Sequence, residues 1–249
     1  MVYRLVIDQQ QIMPEGVCLT PEQAHYVQRV LRLRHGDHVL LMDGQGSTWL
    51  GQLTPDHVQL LQTVEAGSEL TCAVTLWVAL PKGNGFEEII RPCTELGVQV
   101  LQPLLTERTL PRPSPHKRER WQRIATEAAE QAERQWVPRI LDPCSLDQAL
   151  ATLSPTLVPR YLCVTRRACL PFFQALPTPP PAQVVIATGP EGGWTETEIT
   201  HLLAANFQPV SLGPSILRAI TAPTVALAQF TAFLETHSSP GQDHATSHC

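Results

Sequence analysis

Two short loops hold the residues best placed to do chemistry. The first is Gly189-Pro190-Glu191-Gly192-Gly193, inside ATGPEGGWTETE (187–198). Its glycines permit positive φ and let a ligand come close to bare backbone. The second lies in VSLGPSILRAITA (210–222), where Gly213 breaks a β-type run and Arg218 stands just before a helix. That guanidinium either faces a reacting group or snorkels to solvent. Each loop follows an apolar strand and precedes a helix, which is where open α/β sheets bind ligands. Neither is a G-x-G-x-x-G, and no Lys-Ser/Thr follows to make a P-loop. The other reading of each is a tight glycine turn with no ligand.

Cations form a second group of candidates. The net charge is −5, which taken alone disfavours nucleic acid. The basic residues are nearly all arginine, however, and they cluster. One cluster is His25, Arg29, Arg32 and Arg34, with His35 and His38 beside it; another is Arg112, His116, Lys117, Arg118, Arg120 and Arg123. Arginine binds phosphate bidentately and stacks on bases. Either cluster is a phosphate contact or a solvated face. Metal chemistry has no support: the cysteines never space as C-x-x-C, and the histidines form no H-E-x-x-H. His244, His248 and Cys249 sit in a polar tail.

The elements around these residues divide the chain in two. Residues 1–70 read as short strands joined by glycine turns, the pattern of a small barrel. Within them Thr20-Pro21-Glu22-Gln23 is a capping box with Pro at the first helical position. Ala66-Gly67-Ser68 suits a boundary. From residue 71, strands alternate with helices, which predicts a parallel sheet covered on both faces. TCAVTLWVAL, VQVLQPLL, RYLCVT, QVVIA and PVSLG read as its strands. Helices are expected over NGFEEIIRPCTELGV, with Pro92 kinking or shortening it, over 115–135, and from Ala222 to Leu234. Thr195 and Glu198 form another capping box, so a helix starts there. Hydrophobic content of 43% is ordinary for a globular chain. No apolar run reaches the roughly 20 residues that span a bilayer, and the N-terminus lacks a signal-peptide layout. The expectation is a soluble, cytoplasmic protein with reduced thiols.

The motifs, taken in order, resemble the RsmE family of SPOUT RNA methyltransferases. They are PKG (81–83), TELGV (94–98), ER (107–108), EAAEQAER (127–134), GPEGGW (189–194), and LGPSILR (212–218) with Thr221-Ala222. HYVQRVLRLRHGD (25–37) and DGQG (43–46) resemble that family's N-terminal domain. The resemblance implies an α/β fold: a SPOUT-type parallel sheet with a C-terminal trefoil knot, preceded by a small PUA-like β-barrel domain that binds RNA. The implied domains are 1–70 and 71–236, with 237–249 a disordered tail. It further implies a homodimer that uses S-adenosylmethionine, without metal, to methylate N3 of one uridine in 16S rRNA of the small ribosomal subunit. Carried onto this chain, the cofactor residues are Thr188, Gly189, Pro190, Glu191, Gly192, Gly193, Leu212, Gly213, Ser215, Ile216 and Leu217. Arg218 takes the catalytic role, and His25, Arg29, Arg32 and Arg34 contact RNA.

The chain also departs from that pattern. Ile220 stands where the family's LR-x-E-T-A stretch carries an acid, and Ser215 where a second basic residue is common. Arg91-Pro92-Cys93 replaces a Gln-Lys stretch, and Asn84-Gly85-Phe86 is less charged than expected. Two further functions therefore stand beside the first: an RNA-binding protein of this fold that has lost turnover, and a methyltransferase for another RNA such as tRNA. A dehydrogenase or an α/β hydrolase lacks its motif here.

Overall fold

The chain's first strand, β1 (Tyr3–Val6), pairs in parallel with β4 (His38–Met42), and from there the pairing is antiparallel. A computed structural model describes residues 2–65, 69–109, 113–153 and 158–237. Contacts sort them into two compact units, Met1–Glu69 with Ala129–Val137, and Leu70–Ala128 with Pro138–Cys249. The boundary at 66–68, Arg112 and the tail from 238 fall outside the described residues.

The first unit holds one six-stranded sheet in the order β1-β4-β5-β6-β3-β2. Here β2 is Ile12–Met13, β3 Gly16–Val17, β5 Thr48–Leu53 and β6 Val58–Thr63. One face supplies a core of Leu5, Ile7, Val17, Val39, Leu41 and Val58. The helix α1 (Pro21–His25) starts as its capping box requires: Thr20 Oγ1 accepts from Gln23 N, and Pro21 occupies the first turn. It runs on as a π-helical turn over Tyr26–Val30 and stops at Arg32, whose φ is +57°. That left-handed residue is usually glycine at a helix end. The Leu33 N–H closes the end by reaching Val27 O at 3.0 Å.

The second unit is built on an eight-stranded parallel sheet, with α-helices between strands. Its elements are β7 (Ala73–Ala79), α2 (Gly85–Glu95), β8 (Val100–Leu105), α3 (Pro115–Gln131), β9 (Arg139–Ile140), β10 (Cys144–Ser145) and α4 (Leu146–Ala151). They continue with β11 (Arg160–Cys163), β12 (Leu170–Pro171), α5 (Phe172–Ala175), β13 (Gln183–Thr188), α6 (Glu196–Ala204), β14 (Phe207–Ser211) and α7 (Ala222–His237). The order is β10-β8-β7-β13-β11-β14-β12, with β9 beside β8. β13 is buried from Val184 to Thr188, as an apolar run between two covered faces must be. Trp77 and Phe207 pack at 5.3 Å in a core shared with Leu162, Ala187, Trp194 and Leu202.

Three details differ from the sequence reading. Pro92 stays inside α2, in its last turn, and the helix ends at Glu95, short of the Val98 expected. α3 ends at Gln131 rather than 135, and Glu133 turns left-handed at φ +59°; residues from Ala129 to Val137 belong to the first unit. α4 was not foreseen, although Ser145 and Gln148 form a capping box legible in the sequence.

Three of the thiols are packing groups. Cys72, Cys93 and Cys163 are buried, and burial pushes each up to about 12 from the ordinary 9.0. Unfolding therefore releases protons between those values. Stability is complete below pH 9 and should fall as pH rises toward 12, read as a declining Tm across alkaline buffers. A thiol reagent at pH 8 should label exposed Cys18 first and these three only on unfolding.

Candidate active site

At the C-terminal edge of the second unit's sheet the strands end side by side as β8, β7, β13, β11 and β14. Their loops are Thr106–Thr109, Leu80–Asn84, Gly189–Thr195, Val164–Cys169 and Leu212–Thr221. The two glycine loops thus share one edge but are not neighbours. β11 lies between them and adds a third loop to the site.

The first glycine loop is held from three sides. Gly193 N donates to Pro190 O at 2.8 Å, closing a turn that gives Gly193 a φ of +69°. The Glu191 carboxylate accepts from Lys82 N at 3.0 Å, and Arg108 donates to Gly192 O. Glu198, buried in α6, accepts from Thr195 N at 2.8 Å and from Glu107 N at 2.9 Å. The PKG and ER segments are therefore braces for this loop. Gly189 is required by close approach, since a Cβ would lie 2.9 Å from buried Trp194 Nε1, and at Gly192 a Cβ would press on Arg108 Cδ at 2.9 Å. Thr188 and Pro190 are buried below, while Glu191 and Gly192 are exposed.

The second loop is open. Gly213 (φ +136°), Ser215 and Arg218 are exposed, and Ile216 is 63% exposed, while Leu212 and Leu217 are half-buried. Gln229 Nε2 donates to Leu212 O at 3.1 Å and Ser211 Oγ accepts from Gly213 N at 3.2 Å. Arg218 O accepts the first amides of α7, from Thr221 and Ala222. Its side chain makes no hydrogen bond or ion pair among the described residues. Two of the departures meet here: a Cβ on Gly85 would sit 2.9 Å from Ile220 Cγ2. Ile220 thus lies close over Gly85, as does Pro81.

The third loop was not singled out from the sequence. Val210 of β14 pairs with Cys163 on one side and with Leu170 on the other. Residues 164–169 therefore carry the chain across the end of β14, beside the start of the Leu212–Thr221 loop. They include Arg166, left-handed at φ +57°, and Arg167, which pairs with Glu196. The signal was present: an arginine doublet at the C-terminal end of a parallel strand.

The two cation clusters differ. In the second unit, Lys117 donates to Gly83 O at 3.1 Å, Arg118 pairs with Asp142 at 2.6 Å and Arg120 with Glu87 at 2.8 Å. Arg123 and His116 lie near Glu127 and Glu119. Each is engaged by its own surroundings. In the first unit, His25, Arg29, Arg32 and Arg34 are all exposed, with Tyr26 among them, and their side chains make no ion pair among the described residues. No group of three metal-ligating side chains occurs among the described residues, and no described helix is long and apolar enough to cross a membrane.

Comparison with known proteins gives these features a context. Residues 68–231 match the family model of an RNA methyltransferase domain, and residues 19–61 that of an RNA methyltransferase PUA domain. The chain is 55% identical over 240 residues to the ribosomal RNA small subunit methyltransferase E of Synechocystis sp., covering 94% of this chain and 79% of that one. It is 33% identical to the protein of the same name from Bacillus subtilis, covering 84% and 87%. Among solved structures it superposes on ribosomal RNA small subunit methyltransferase E from Neisseria gonorrhoeae bound to S-adenosyl methionine. That match has a TM-score of 0.83 at 29% identity, over 93% of this chain and 98% of that one.

Proposed function

Since the chain belongs to the ribosomal RNA small subunit methyltransferase E family, we propose that it methylates N3 of one uridine in 16S rRNA, with S-adenosylmethionine as methyl donor. The observation that carries this reading is the presence of the open second loop and the braced first one on a single sheet edge. At Gly193 and Gly213 a Cβ would meet nothing within 4 Å, so bare backbone fronts open space on both loops. Ile216, Leu212 and Leu217 offer apolar surface for an adenine, and backbone amides near Gly189–Gly193 and Gly213 suit its polar edges and those of the amino-acid end. The site fits this cofactor, which supplies an electrophilic methyl on a sulfonium. A side-chain cation at the sulfur is unnecessary, and Glu191 adds a mildly negative field.

The protein's own tasks follow. The loops must align acceptor and donor, since methyl transfer is an in-line displacement. The uracil N3 must lose its proton, and Arg218 stabilises the negative charge that spreads to the neighbouring carbonyl oxygens. The PUA-like unit positions RNA through phosphate contacts of Arg29, Arg32 and Arg34, with His25 beside them. The homodimer, the trefoil knot and action in the cytoplasm complete the reading. The crossing of residues 164–169 over β14 supports the knot.

Arg32 offers a clean test of the RNA face. Arg32→Gly relieves a left-handed backbone, so it should stabilise the protein by about 1 kcal/mol. It should also lower the salt slope of RNA binding by about one unit. A higher Tm with undiminished RNA binding would exclude the contact.

The reaction itself is tested with purified protein, labelled S-adenosylmethionine, and both small subunits and naked rRNA from cells lacking this gene. Mass mapping should find a single N3-methyluridine in the small-subunit RNA. Label in another RNA, or cofactor binding without transfer, would overturn the proposal.

A further inference from the structure

Arg166 stands out among the cations at the sheet edge. Its neighbours are occupied: Arg167 pairs with Glu196, and Arg108 holds Gly192 O. The Glu191 carboxylate accepts from Lys82 N. Arg166 is exposed, and its guanidinium makes no hydrogen bond or ion pair among the described residues. Its backbone is left-handed, at φ +57°, which disfavours any residue with a Cβ. Backbone strain of this kind clusters at functional sites. The loop's path across the end of β14 places Arg166 beside the segment that carries Arg218. Lys82 and Arg218 are also exposed on this edge where the acceptor must arrive, among the carboxylates Glu107 and Glu191.

We propose that Arg166 is an RNA-positioning residue, whose planar guanidinium binds a backbone phosphate flanking the nucleotide presented to Arg218. The inference rests on the RNA-methylation reading above and names a residue that reading does not use. A phosphate suits a solvent-exposed guanidinium, because the fork of N–H groups matches two phosphate oxygens. Such contacts fix the register of the RNA and carry no sequence information themselves.

The test compares Arg166→Gly and Arg166→Lys with the wild-type full-length protein on unmethylated small-subunit rRNA. Glycine is at home in the left-handed region, so Arg166→Gly removes the guanidinium while keeping the loop, and Tm should hold or rise. The KM for RNA should rise about tenfold, and the salt slope of direct RNA binding should fall by about one unit. The turnover number and the Kd for S-adenosylmethionine should be unchanged, and Arg166→Lys should recover part of the loss. Unchanged RNA binding would overturn the proposal. So would a weakened cofactor Kd with RNA binding intact, which would assign Arg166 to the cofactor. A fall in Tm that accounts for the activity loss would make the residue structural and overturn it as well. If the wild-type protein binds rRNA but transfers no methyl, the functional reading fails, and the binding slopes still decide the role of Arg166.

Discussion

Arg218→Ala should lower the turnover of methyl transfer by about 10²–10³-fold, with the Kd for S-adenosylmethionine unchanged. The argument is electrostatic. The guanidinium is exposed, lies on the open loop and is not consumed by any ion pair among the described residues. Its backbone carbonyl, by contrast, anchors the start of α7 through Thr221 N at 2.9 Å and Ala222 N at 3.0 Å. The side chain therefore hangs from a fixed backbone point, and its charge is not neutralised. A charge held that way is worth most when negative charge grows on the substrate, and little in the ground state. Hence the loss should appear in kcat and not in cofactor affinity. Arg218→Lys should recover only part, because an ammonium cannot span two acceptors as a planar fork does. Single-turnover kinetics together with calorimetric titration of the cofactor check this. Full turnover in the alanine variant would remove Arg218 from the chemistry.

The second large effect is expected at Gly189. A Cβ there would stand 2.9 Å from Trp194 Nε1 and 3.1 Å from its Cδ1, well inside contact distance. The indole cannot give way freely. It is 8% exposed, packs among Ile199, Leu202 and Phe207, and donates to Cys163 O at 3.2 Å. Gly189→Val must displace the ring or bend the loop. Overpacking costs about 1–3 kcal/mol and an orphaned hydrogen-bonding group about 1–3 more. The sum predicts a fall in Tm of about 5–15 °C. The same displacement moves the amides of residues 189–193, so S-adenosylmethionine affinity should fall at least about tenfold, since misplaced donors no longer meet the ligand. Thermal denaturation and calorimetry read the two effects separately. An unchanged Tm would show that Trp194 does not hold the loop in place.

Much of the site was legible because its signals are local. Thr195 and Glu198 announce α6 by a reciprocal hydrogen-bond pattern that needs no tertiary contact. The run QVVIA reads as a buried strand because both its faces are apolar, and glycines mark where backbone must pass close to something. The open loop was likewise found from a strand that breaks at Gly213. What Gly189 and Gly192 pass close to was not legible. Trp194 is five residues from Gly189 but is turned back onto it by the fold, and Arg108 comes from another strand's end. Glu198 looked like a cap only. Its second bond, to Glu107 N, joins residues remote in sequence.

The sequence by itself determined the longer strands and helices, the two glycine loops, the arginine clusters and, through its ordered motifs, the family. Each of these depends on neighbours within a turn or a strand, or on short words of sequence. Tertiary structure decided which loops share an edge: β11 enters between β13 and β14, and brings Arg166 with it. It decided that the cations of 116–123 are engaged by nearby groups while those of 25–34 stay exposed, because partners such as Asp142 and Glu87 are supplied by other elements. It also brought Ile220 close over Gly85, residues remote in sequence. Strand order and side-chain pairing are properties of packing between distant segments, and short-range pattern does not encode them.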